Sequence, residues 1–195
     1  MVYTIYETDC IIFSIRNIQE NDALIKAFSD KFGIISIIGT SFRKESSKLK
    51  ANTKEYSINK LALVRGKEFF RLTDSNHKFS FSSSKSLVHF LRMAEGLFFN
   101  DEMEYFDEMN TRIYNMIIHL CKFIIYLVKS DRENKKDLIT AANIFFTIYM
   151  RGLQGFVEKI SVDAMLKLEG DELSSWFERE SSNIQMMMKK IQLSF

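Results

Sequence analysis

The side chains that could perform covalent chemistry are few and scattered. The three histidines, His77, His89 and His119, lie far apart and share no metal-ligand spacing. His119 sits two residues from Cys121, and positions i and i+2 do not face each other on a helix, so a Cys–His nucleophile pair is not expected. Asp101, Glu102 and Glu104 cluster where a helix is expected to start, and the helix dipole accounts for them without acid/base work. Met186-Met187-Met188 reads as packing, because thioethers fill irregular gaps in cores. No Gly-rich phosphate loop follows a strand. No catalytic residues, no metal and no cofactor are expected.

The cations are arranged differently. Residues 41–71 hold nine, Arg43, Lys44, Lys48, Lys50, Lys54, Lys60, Arg65, Lys67 and Arg71, against three Glu, a local net charge of +6 in a chain of +2 overall. Such a cluster can neutralise phosphates and release their counterions. Phe42, Tyr56, Phe69 and Phe70 are interleaved with it, and aromatic faces can stack bases. Tyr56 and one of the adjacent Phe69 and Phe70 are expected in a core, since neighbours on a strand face opposite sides. For the cations, composition alone leaves phosphate binding and plain solvation equally open.

The elements that position these residues change character near Ser80. Before it, β-rich runs cover Thr8–Ile15 (Cys10, Ile12 and Ser14 on one face), Ala23–Ser29, Ile34–Ile38, Tyr56–Val64 and Glu68–Thr73. Gly33 and Gly66 fall in turns where positive φ would be needed. Ser41–Thr53 is polar and cationic, the signature of an exposed loop. Five short strands with one long loop predict an OB-fold-like barrel over residues 1–80. Beyond it, apolar residues recur at three and four from Leu87 to Phe98 (with Ser86 as a cap), from Tyr105 to Val128, from Asp137 to about Ile160, and from Leu173 to Leu193. Residues 81–195 are therefore expected to be all-helical, making the chain α+β. Ile113–Val128 is apolar but interrupted by Asn115, His119 and Lys122 and shorter than the ~20 residues a membrane span needs, so a buried helix is expected. Two cysteines without CxxC spacing, and an N-terminus without a basic, apolar leader, predict a cytoplasmic protein.

The order of motifs resembles the bacterial RecO family of recombination mediators. That family carries an acidic-polar element before a strand and a Gly turn, matched by Glu20-Asn21-Asp22-Ala23-Leu24 through Phe28-Ser29 to Gly33. A G-x-R-x-x-K-S-x-L-R-A-like loop follows, matched by Gly39, Arg43, Ser47, Leu49, Lys50, Ala51 and, nine residues after the serine, Tyr56. A helical F-x-L-x-L-L-x-x-x-G-aromatic motif is matched by Phe146, Ile148, Met150, Leu153, Gly155 and Phe156, with Arg151 departing from the second leucine. The resemblance covers roughly residues 5–158. Many relatives place a zinc module just after the Gly-aromatic pair, whereas Val157–Leu168 has no cysteine, and the tail is shorter than usual.

The resemblance implies a non-enzymatic, nucleoid-associated protein that binds single- and double-stranded DNA and anneals strands. It implies work with RecR, and sometimes RecF, to load RecA. It further implies that the helical part receives the acidic, Phe-ended tail of the single-stranded-DNA-binding protein, for which Lys122, Lys129, Arg132 and Arg151 are the candidate cations. The rival reading is an adaptor whose barrel binds a protein partner, with an enzyme a distant third.

Overall fold

The computed structural model describes residues 3–99, 110–153 and 162–192. Strands β1 (Ile5–Ile18), β2 (Asp22–Ser29) and β3 (Gly33–Gly39) form an antiparallel meander. A short helix, α1 (Lys48–Asn52), precedes β4 (Ser57–Arg65) and β5 (Phe70–Ser80). The ring closes in the order β1-β2-β3-β5-β4, with β4 returning to the first half of β1. Its weak seam is the parallel β3/β5 contact, which holds two residue pairs, Ile37↔Phe70 and Ile38↔Arg71. The architecture is the OB-fold-like five-stranded barrel expected, followed by helices.

Alternation decides which side chains enter the barrel. Cys10, Ile12, Ala23, Ile25, Ala27, Ile35, Ile37, Leu61, Leu63 and Leu72 form its core. Ser14 does not join Cys10 and Ile12, contrary to a simple period-two reading. The register of β1 against β2 shifts between Ile12 and Ser14, so Ile15 takes the inner position and Ser14 Oγ donates to Glu95 at 2.6 Å. The β2–β3 turn is built from Ser29, whose Oγ accepts from the Lys31 and Phe32 N–H groups at 3.1 Å each, and from Gly33 at φ +64°. Gly66 differs from expectation. It is not among the positive-φ glycines; a Cβ there would lie 2.4 Å from the Phe69 carbonyl oxygen, so the requirement is close backbone approach.

Among the described residues four long helices follow: α2 (Lys85–Phe99), α3 (Asn110–Lys129), α4 (Lys135–Leu153) and α5 (Gly170–Gln192). Ser84, not Ser86, stands at the start of α2, its carbonyl accepting from Val88 N at 3.0 Å and its Oγ from Leu87 N at 3.5 Å. By contacts, residues 1–95 with 105–115 form one compact unit, and 96–104 with 116–195 a second. The second unit has an aromatic centre: Phe123 stacks on Phe177 at 5.3 Å, and Phe145 meets the edges of Phe177 and Trp176. α3 is long and apolar enough by length and composition to cross a membrane, but half of that stretch is buried, including Met116, Ile117, Leu120, Ile124 and Leu127. The acidic cluster 101–104, the start of the stripe at Tyr105, and Gly155 and Phe156 lie outside the described residues.

Candidate nucleic-acid interface

The segment between β3 and β4 is not the loose loop its composition suggests. Phe42 is buried, packed so closely on Gly39 that a Cβ there would lie 2.9 Å from its ring. Ser41 N donates to Asp22 Oδ1 (2.8 Å), Arg43 N to the Asn21 carbonyl (2.9 Å) and Arg43 Nη1 to the Glu20 carbonyl (3.0 Å), which fastens the segment to the β1–β2 turn. Further on, Leu49 of α1 packs on the barrel core. A polar cluster beneath α1 completes the anchor. Asn59 Nδ2 donates to the Asn52 carbonyl (2.7 Å) and to Ser75 Oγ (2.9 Å), and Asn52 Nδ2 donates to the Ser75 carbonyl (2.9 Å). Ser57 Oγ lies 2.6 Å from both the Lys54 carbonyl and Asn59 Oδ1, its single proton serving one at a time. Lys48, Lys50 and Lys54 therefore ride on an anchored frame.

All nine predicted cations are exposed. They are not equivalent. Lys60 pairs with Glu7 at 2.6 Å on the outer face of β1 and β4. This hydrogen-bonded partner lowers the Glu7 carboxyl and raises the Lys60 ammonium from their ordinary values, the charge attraction adding to it. Both groups are solvated, so little stability is involved, but the pair makes Lys60 the poorest phosphate ligand of the nine. Arg65 and Lys67 flank the tight β4–β5 turn, and Arg71 belongs to a row that the register lays out around the barrel.

In that row Arg16 is opposite Leu24, Leu24 opposite Ile38, and Ile38 opposite Arg71. One step along, Lys26 is opposite Ser14 and Ser36. These are outward positions: the alternate residues Ile15, Ile25, Ile37 and Leu72 point to the core. Half-buried Leu24 and Ile38 thus lie between exposed Arg16 and Arg71, beside the β1–β2 turn to which Arg43 is fastened. Strands β2 and β3 with the first and last turns are where OB barrels take oligonucleotides. Arg16 and Lys26 lie outside the charge cluster, so composition does not flag them; their signal is a register that one sequence does not contain.

The interleaved aromatics separate. Phe42 is core, Phe70 leans on Phe32 at 5.1 Å, and Tyr56, at φ +53°, accepts from Arg92 Nε at 3.1 Å. Phe69 is exposed. Neither thiol offers a nucleophile: Cys10 and Cys121 are buried, and desolvation pushes both far above the usual thiol range.

In the helical unit, a cavity of about 370 Å³ is lined by His119, Lys122, Phe123, Tyr126, Glu169, Gly170 and Leu173. His119 Nε2 is buried without a hydrogen-bond partner among the described residues, and burial pushes the imidazole below its ordinary value. Of the four candidate partner cations, Lys122 lines this cavity. Lys129 is exposed at the last turn of α3 and Arg151 is half-buried in α4. Arg132 is committed elsewhere: its guanidinium binds Asp171, which also accepts from Tyr126 Oη at 2.6 Å, and reaches Glu178 at 3.5 Å.

Comparison with known proteins agrees with this frame. Residues 1–81 match the family described as recombination protein O N terminal. The DNA repair protein RecO of Clostridium novyi is 26% identical over 139 residues, covering 70% of this chain and 45% of that protein. The DNA repair protein RecO of Clostridium perfringens is 28% identical over 136 residues, covering 69% and 54%. That of Mesoplasma florum is 29% identical over 123 residues, covering 54% and 44%. The chain spans about half the length of the curated relatives it matches. The barrel is thus matched end to end by the recombination protein O N-terminal family, and the chain is similar to relatives that all carry the name DNA repair protein RecO.

Proposed function

We propose that this protein is a non-enzymatic mediator of DNA repair and recombination that binds and anneals single-stranded DNA in the bacterial cytoplasm. The observation that carries the reading is the exposed row of Arg16 and Arg71 around Leu24 and Ile38, beside the β1–β2 turn to which Arg43 is fastened. Such a surface holds phosphates without covalent chemistry, and it would hold duplex as well as single strands. RecR, RecA loading and, in part of the family, RecF belong to this reading through the motif resemblance alone.

Single-strand affinity should fall with salt along a log–log slope of about −0.7 per phosphate contacted. Replacing Arg43, Lys44, Lys48 and Lys50 by Ala should weaken binding to all sequences and flatten that slope. Lys60→Ala should leave it unchanged, since Glu7 already occupies that ammonium. A folded quadruple variant with the parent's slope removes this segment from the site. Binding that ignores salt altogether favours the protein-adaptor reading.

The helical unit is proposed to receive the acidic, Phe-ended tail of the single-stranded-DNA-binding protein in the His119–Lys122 cavity. Phe123, Tyr126 and Leu173 supply an apolar lining for a ring, and Lys122 a cation for a carboxylate. A peptide of that composition should bind the full chain at micromolar strength and lose affinity when its terminal Phe is removed. Lys122→Ala should weaken it, while Arg132→Ala should act first on stability, through the loss of its contacts to Asp171 and Glu178. Calorimetry showing no heat of binding to the folded chain at low salt overturns this assignment.

A further inference from the structure

Four aromatic rings are interleaved with the cations of residues 41–71, and they end in different environments. Phe42 is packed inside, 4% exposed, and Phe70 turns inward onto Phe32. Tyr56 is clamped by Arg92, which donates to its hydroxyl and lies 5.8 Å from its ring centre. Phe69 differs from all three, with 39% of its surface in solvent. Its backbone is pinned nonetheless: the Gly66 N–H donates to the Phe69 carbonyl at 3.0 Å, closing a turn too tight to admit a Cβ at Gly66.

A lone exposed Phe is ordinary on a protein surface. This one is held on a turn closed by a backbone hydrogen bond, two residues from exposed Lys67 on one side and two from Arg71 of the outer row on the other. An aromatic face needs an unpaired base to stack upon, whereas cations accept the phosphates of single strands and duplex alike. We propose that Phe69 is the base-stacking residue of this surface and sets its preference for single strands over duplex. The inference rests on the DNA-binding reading above and adds to it the distinction between base and backbone.

The test compares oligothymidine with an abasic deoxyribose-phosphate chain of equal length and with a duplex, at one fixed low salt concentration. Parent protein should prefer oligothymidine to the abasic chain. Phe69→Ala should lower oligothymidine affinity about tenfold, with abasic and duplex binding unchanged. Phe69→Leu should behave like Ala, and Phe69→Trp should restore the preference. The turn is at the surface, so the melting temperature checks that each variant is folded. Equal parent affinity for oligothymidine and the abasic chain overturns the stacking assignment while leaving phosphate binding in place. So does a folded Phe69→Ala that binds oligothymidine as the parent does, or that loses all three ligands alike. A parent that binds none of the three ends both readings together.

Discussion

Gly33→Val should destabilise the barrel by about 2–4 kcal/mol, and Gly66→Val by a similar amount for an unrelated reason. Gly33 sits at φ +64°, in the left-handed region where any Cβ is crowded and a β-branched one more so. Its Cβ would also come within 2.4 Å of Asn110 Oδ1, but a side-chain end can move aside. Conformation therefore dominates at this position, and Gly33→Asn, which tolerates that region, should be milder than Gly33→Ala. Gly66 has no such φ. There the obstacle is the Phe69 carbonyl oxygen, a backbone atom fixed by the turn, 2.4 Å from the first added carbon. Gly66→Ala should then be nearly as damaging as Gly66→Val, and Asn should bring no relief. The single tryptophan, Trp176, lies in the helical unit and reports the wrong part of the molecule. Amide exchange in β2 and β3 follows the barrel itself. A Gly66→Ala variant as stable as the parent would show that the turn is softer than its geometry implies.

The contrast between the two glycines shows what the sequence carries. Turn chemistry is local, so Ser29 and Gly33 between two apolar runs identify the β2–β3 hairpin. Alternation likewise gives β2, β3 and β4, each buried on its inner face. β1 is harder, because Cys10, Ile11, Ile12 and Phe13 are all fully buried and leave no period to read. A strand covered on both sides hides its own bulge, and Ser14 is consequently misplaced. The segment 41–53 misleads in the opposite sense. Its polar residues suggest solvent, while Phe42, Leu49 and Asn52 do the anchoring, each through a partner distant in sequence. The candidate site follows the same division. Charge density identifies residues 43–71 directly, but Arg16 joins them through cross-strand register alone, and Arg132 loses its apparent availability to Asp171, 39 residues away. Long-range pairing is the information that composition and spacing lack.

The same long-range pairing makes Asn59 the residue whose loss should reach furthest. It is fully buried at the barrel end beneath α1, with Ser57 and Ser75 also out of solvent. Removing its amide in Asn59→Ala strips the donor from the Asn52 carbonyl and from Ser75 Oγ at once. Each buried polar group left without a partner costs about 1–3 kcal/mol, so the pair amounts to a large part of a marginal domain's stability. Asn59→Leu fills the space but restores neither bond and should fare no better. Asn59→Asp should be the worst near neutral pH, since it keeps an acceptor where two donors are needed and brings a charge into the core. Burial would raise that carboxyl above its unfolded value. Its neutral form would therefore persist in the fold, and the penalty should shrink as pH falls toward the ordinary Asp range and grow as pH rises through the folded value. The consequence for DNA follows from the anchor. Without Asn59 the Asn52 end of α1 keeps only its bond to the Ser75 carbonyl and the packing of Leu49, so exposed Lys48 and Lys50 are held less firmly. Measured well below the melting temperature, Asn59→Ala should weaken single-strand binding and flatten its salt slope. Combining it with Lys48→Ala and Lys50→Ala should give less than the sum of the separate losses, because both changes remove the same phosphate contacts. Strict additivity, with Asn59→Ala folded, would mean that the network stabilises the barrel without positioning the cations.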